Sequence, residues 1–243
     1  MTDTKRLYSK QNPIKDLLPS TTKKKVVEDV IPKLVSVANV TSYVKPSKEL
    51  LPKAFFVIIS GGEVRERDYF RVVSNQDRFK RIKIDFIADP NKLNPCGLLS
   101  IALIKKELYR SSQDDNTENP DRIFIVSDVD LFMPELIKIK PECEKEGLGL
   151  IISNSCFEVW LFYAYNSDVP KFPIPEEVET ISWKFKKWLP RIIKGGVNPV
   201  KSIFNIQSNI ENAKANYRVD GNGIPILFST NMFQLAEILL PLI

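Results

Sequence analysis

Two aspartates, Asp128 and Asp130, stand one residue apart at the end of the apolar run Ile123, Phe124, Ile125, Val126. In an extended segment residues two apart point the same way, so both carboxylates can address one cation. Oxygen donors without nitrogen or sulfur suit magnesium or manganese. A helix-capping aspartate beside a solvated one accounts for the same spacing. Glu63 and Glu66 follow another apolar run, and Glu158 follows a third. Ser155 stands three residues before Glu158, the spacing of a capping box, which offers Glu158 a purely structural role. The chain contains no histidine. That removes Ser-His-Asp and Cys-His nucleophile systems, histidine general bases and imidazole-bound zinc or iron. The chemistry left is that of carboxylates, lysines, hydroxyls or a bound metal.

The elements that must position these acids are short apolar runs. AFFVIIS (54–60), IKIDFIA (82–88), IFIVSD (123–128) and LGLIIS (148–153) each have the length and β-branched content of a strand buried on both faces. Helix-like stretches separate them: one around 68–73, LLSIALIKKELY (98–109), and MPELIKIKPECEKEG after the aspartates. Alternation of strand and helix predicts a mainly parallel sheet covered by helices, with the strands' C-terminal ends along one edge. Ligands of such sheets bind beyond that edge, where the acids lie.

The 243 residues are 43% apolar, enough for one large domain or one and a half small ones. No stretch approaches a membrane span, and the first residues lack the pattern of a secretory signal. The three cysteines are odd in number and irregularly spaced, which suits reduced thiols in the cytoplasm and gives no zinc set. Residues 1–50 are polar and lysine-rich, with Lys23, Lys24 and Lys25 in a row, and read as a basic arm or docking segment with one short helix at 26–37. Polar 111–121 and proline-punctuated 170–177 read as connections, and RVDGNGIP (218–225) as a turn within a helical C-terminal part, 181–243.

Between 180 and 210 the chain carries Lys184, Lys186, Lys187, Arg191, Lys194 and Lys201 without one acidic residue, interleaved with Trp183, Phe185 and Trp188. Cationic side chains attract phosphates and exposed aromatics stack on bases. An amphipathic helix with buried tryptophans and solvated lysines fits equally well. A second cluster, Arg78, Lys80, Arg81 and Lys83, reads as a solvated helix end.

From about residue 54 to 243 the sequence resembles the RloB-like proteins, whose core is a Toprim domain. Four pieces in order carry the resemblance: Gly62, Glu63, Glu66, Tyr69 and Phe70; DRIFIVSDVD (121–130); Ser153, Asn154, Cys156, Phe157, Glu158, Trp160 and Leu161; and IENAKAN (210–216) before a final helix opening at Ser229 and Thr230. The resemblance implies a Toprim-like, mainly parallel α/β sheet flanked by helices, with a core at 51–168 and a helical C-terminal subdomain at 169–243. It implies Mg2+ or Mn2+ held by Asp128 and Asp130, with Glu63 or Glu66 sharing the ion or acting as base, Glu63 being favoured as nearer the strand end, while Glu158 orients neighbouring groups. It implies a nuclease of prokaryotic defence against phage, acting on RNA, tRNA or DNA beside an ABC-type ATPase, and leaves a homodimer open. Lys184, Lys186, Lys187, Arg191 and Lys194 would then grip the nucleic-acid backbone. The chain departs from the family pattern at three places. Gly61 stands where the family has the first glutamate of Glu-Gly-Glu, Ser155 where it has proline, and Ala164 where it has histidine. These departures keep a second reading alive, a degenerate interaction subunit docking on an ATPase.

Overall fold

The computed structural model describes residues 54–76, 82–88, 94–111 and 120–243. The helix expected at 26–37, most of the 111–121 loop and the cations Arg78, Lys80 and Arg81 lie outside the described residues. The strands are β1 (Ala54–Ser60), β2 (Ile82–Ala88), β3 (Arg122–Asp128) and β4 (Gly149–Ser153). They form an all-parallel sheet in the order β2-β1-β3-β4. The first two bounds are those expected, and the other two differ by one residue.

Side-chain alternation makes two cores from each strand. Phe56, Ile58, Phe124, Val126 and Ile151 point to one face, where they meet Tyr69, Phe70 and Val73 of helix α1 (Arg65–Gln76). Phe55, Val57, Ile59, Ile123, Ile125 and Ile152 point to the other. There they meet Leu98 and Ala102 of α2 (Pro95–Ser111) and Leu136, Ile139 and Cys143 of α3 (Met133–Lys145). The fold is thus an α/β parallel sheet flanked by helices, as expected. Because the chain leaves β1 toward β2 and returns past it to β3, the order reverses between β1 and β3, and a crevice opens beyond their C-terminal ends.

The C-terminal part is helical: α5 (Ile181–Ile192), α6 (Pro199–Phe204), α7 (Ile206–Ala215) and α8 (Met232–Leu239). These helices share the α1-side core with the sheet through α4 (Glu158–Phe162), whose five residues are all buried. The connection at 170–177 contributes Phe172, which meets Phe185, Trp188 and Phe228 edge-on. Asparagines tie the layers together. Nδ2 atoms of Asn212, Asn205 and Asn216 donate to the carbonyls of Tyr163, Ala164 and Ser167 just after α4.

Strand β4 is an edge strand, and unpaired edges invite association with other chains. Here residues 229–231 cover it. Asn231 accepts from the Ile152 amide at 2.6 Å and donates through Nδ2 to the Leu150 carbonyl at 2.9 Å. The Ser153 and Thr230 hydroxyls meet at 2.8 Å, and the Asn154 amide donates to the Ser229 carbonyl. Among the described residues no helix is long and apolar enough to cross a membrane.

Candidate active site

The strand ends carry the acids into one place. Asp128 is the last residue of β3, in register with Ser153 of β4. The chain then turns: the amides of Val129 and Asp130 donate to the carbonyls of Ser153 and Ser155, and Asp130 adopts φ 28°, in the left-handed region. Aspartate tolerates that region better than most residues, and the turn releases the chain into α3. After β1, the Gly61 amide donates to Val126, and the Gly62 amide to the Ser60 hydroxyl. Helix α1 begins at Arg65, so Glu66 lies in its first turn and starts the buried stripe Glu66, Tyr69, Phe70, Val73 at helical spacing.

A cavity of about 530 Å³ lies at these strand ends and is lined by Glu63, Glu66, Asp128, Asp130, Glu158 and Lys186, among others. Every acid singled out in the sequence therefore borders it, but not equivalently. Glu66 is buried, while Glu63 is exposed in the loop before the helix. Glu66 rather than Glu63 thus has its carboxylate held against the interior. Gly62 makes this possible, because a Cβ at that position would overlap the Glu66 carboxylate. At Gly61, by contrast, the nearest atom to an added Cβ is Leu98 Cδ1 at 3.6 Å, an ordinary contact.

The capping box does not form. Helix α4 is preceded by Phe157 without a side-chain cap, and the Ser155 hydroxyl is directed at Cys156 Sγ. Glu158 instead is buried and pairs with Lys186, Oε2 to Nζ 3.5 Å. Lys186, expected to grip a nucleic-acid backbone, is turned into the acid cavity. Its basic neighbours on α5 are not: Lys184 pairs with Glu177 at 3.7 Å, and Lys187 lies over the Trp183 ring at 3.8 Å from its centroid. The aromatic run splits likewise. Phe185 is fully buried and stacks with the partly buried Trp188, whereas Trp183 is exposed.

Charge in the cavity is unbalanced. Burial raises the Asp128 carboxyl well above its usual range, and the neighbouring Glu66 adds to this. Burial raises Glu66 too, and Glu158 contributes, partly offset by a hydrogen bond from its own backbone and by Lys186. Asp130 is raised by burial and eased by Lys186. For Lys186, burial opposes the ammonium, but the acids beside it, Glu158 first and then Asp128 and Glu66, outweigh it and hold the group protonated. Among the lining residues, five acids (Glu63, Glu66, Asp128, Asp130, Glu158) face two bases (Arg65, Lys186).

In donor type and charge these residues fit a hard divalent cation: oxygens only, crowded acids, excess negative charge. Among the described residues, no three such side chains converge closely enough to hold a metal ion as they stand.

Sequence reasoning passed over Ser127, Leu98 and Phe132, which also line the cavity. Leu98 belongs to α2, whose place beside the strand ends follows from chain crossover and not from local pattern, whereas Phe132 follows Asp130 by two residues. Residues 56–239 match the RloB-like protein family. No curated protein matches the chain, and no solved structure does. With the match covering most of its length, and the sheet from Phe56 onward, the acid loop and the C-terminal helices inside the matched span, this chain belongs to the RloB-like protein family.

Proposed function

We propose that this protein is a metal-dependent nuclease of the Toprim type that cleaves phosphodiester bonds in nucleic acid, with RNA and tRNA ahead of duplex DNA. The observation that carries the reading is the meeting of Glu66, Asp128, Asp130 and Glu158 in one cavity at the crevice between β1 and β3. Asp128 and Asp130 would hold Mg2+ or Mn2+, with Glu66 as the third donor. When bound, the ion polarises a phosphate oxygen and lowers the pKa of a water bound beside it. The protein's own groups do the rest. Lys186 holds Glu158 in place and, with Arg65, offers positive charge to an approaching phosphate. None of these roles needs the histidine that the chain lacks. The biological setting that we propose with it is defence against phage beside an ABC-type ATPase.

Two observations favour a second reading, a subunit that has lost catalysis and acts by docking. Gly61 withholds an acid from the site, and the Lys186 ammonium already supplies positive charge to the acids that remain. Divalent-dependent cleavage of labelled RNA and DNA by the purified chain, compared with Asp128→Asn/Asp130→Asn, separates the two. The nuclease reading expects cleavage that needs both the ion and the aspartates.

A further inference from the structure

The row Trp183, Lys187, Arg191 runs at four-residue spacing along the exposed side of α5, next to Lys186, whose ammonium lines the acid cavity. Trp183 and Lys186 are three residues apart, neighbours on the helix surface about 4.5 Å apart in rise. Of the three tryptophans in the chain, Trp160 is fully buried and Trp188 is stacked on Phe185, but Trp183 is 55% exposed. The Lys187 ammonium lies 3.8 Å from its ring centroid. A cation over one face orients the indole, and more than half of the Trp183 surface stays open to solvent. Burial of Ile181, Phe185 and Leu189 anchors the helix, so the exposed ring is not needed for packing.

An oriented, exposed indole flanked by cations matches an unpaired base followed by its phosphates. It does not match a duplex, whose bases are stacked on one another and whose outer surface is phosphate and sugar. We propose that Trp183 and Lys187 form a stacking platform for one unpaired base, with Arg191 on the adjoining phosphate. The substrate class of the neighbouring cavity is then single-stranded nucleic acid or an unpaired loop. This rests on the nucleic-acid part of the reading above and not on its catalytic part.

The test is binding by the full chain in chelator, where cleavage plays no part. Fluorescein-labelled oligo(U) and a blunt RNA duplex of equal length are titrated by anisotropy against wild type, Trp183→Ala, Trp183→Phe and Lys187→Ala/Arg191→Ala, with folding checked by circular dichroism. The expected result is preference for the single strand. Trp183→Ala weakens that binding about tenfold, the scale of one base-aromatic stack, and leaves the salt dependence unchanged. Trp183→Phe restores most of the affinity. Lys187→Ala/Arg191→Ala makes the salt slope shallower by about 0.7 for each phosphate that is no longer neutralised. Equal affinity for duplex and single strand, unchanged binding by Trp183→Ala, or no binding of oligo(U) by wild type would overturn the platform. Wild-type protein that shows this binding but cuts no nucleic acid when Mg2+ or Mn2+ replaces the chelator would instead count against the nuclease reading alone.

Discussion

The Lys186 ammonium lies 3.5 Å from the Glu158 carboxylate and so ties α5 to the helix that follows β4, both side chains lining the acid cavity. With Lys186 gone, the acids lose the cation that offsets their repulsion. Lys186→Met should lower stability at neutral pH by about 1 kcal/mol, a modest figure because the lysine side chain is 44% exposed. For a domain of this size that is a fall in Tm of about 2–4 °C. Thermal unfolding checks it, and the deficit should shrink in acid, where the carboxylates are neutral.

The raised carboxyls fix the sign of the pH dependence. An unfolded aspartate titrates near 3.8, and burial puts Asp128 well above that in the folded protein. The native state therefore binds more protons than the unfolded one between the two values. Stability contributed by protonated Asp128 is complete below the unfolded value and is lost as pH rises through the folded one. Glu66, raised from 4.5, acts in the same sense. In divalent-free buffer, Asp128→Asn should flatten this decline and melt higher than wild type at neutral pH. A steeper decline in the variant would contradict the burial of charge at this site.

Gly62→Ala places a methyl where the Glu66 carboxylate sits. Since the obstructing atoms are the end of a flexible side chain, the outcome should be displacement of Glu66 with a change in Tm of only a few degrees. Divalent binding, read by calorimetry, should weaken as in Glu66→Gln. Glu63→Gln should have a much smaller effect, because Glu63 is exposed.

At Gly61 the space is open. Gly61→Glu should therefore fold normally and tighten Mg2+ or Mn2+ binding by adding an acid to the cavity edge. Calorimetric titration of the variant against wild type measures this directly.

Asn231 closes the edge of β4 through both its amide atoms. Asn231→Ala leaves the Ile152 amide and the Leu150 carbonyl without those partners. It should cost about 2 kcal/mol, the scale of stranding buried backbone groups, and lower Tm by roughly 4–8 °C. Chemical denaturation at fixed pH gives the comparison.

The strands were legible because burial on both faces writes itself as short apolar runs, and β1 and β2 begin and end where those runs do. The acids were legible because all stand just past such runs. Choosing between Glu63 and Glu66 was a matter of periodicity: Glu66 begins the stripe continued by Tyr69, Phe70 and Val73, whereas closeness to the strand end favoured Glu63. What the chain does not write locally is which helix meets which loop. Lys186 looks like any other lysine of its run until α5 is packed beside α4. The Ser155 to Glu158 spacing of a capping box was likewise overridden, because Phe157 became the cap position and Glu158 found a tertiary partner.

The most direct test of the acid cavity as a nuclease centre is cleavage of labelled single-stranded RNA by the full chain with Mn2+, Mg2+ or chelator, alongside a folded Asp128→Asn/Asp130→Asn variant. The account predicts cleavage by wild type only with a divalent ion, and a loss of at least about a hundredfold in the variant, in line with the several kcal/mol that a metal supplies. Cleavage that survives in the chelator or in the double variant would contradict it. So would a wild-type protein that cuts no nucleic acid with either ion.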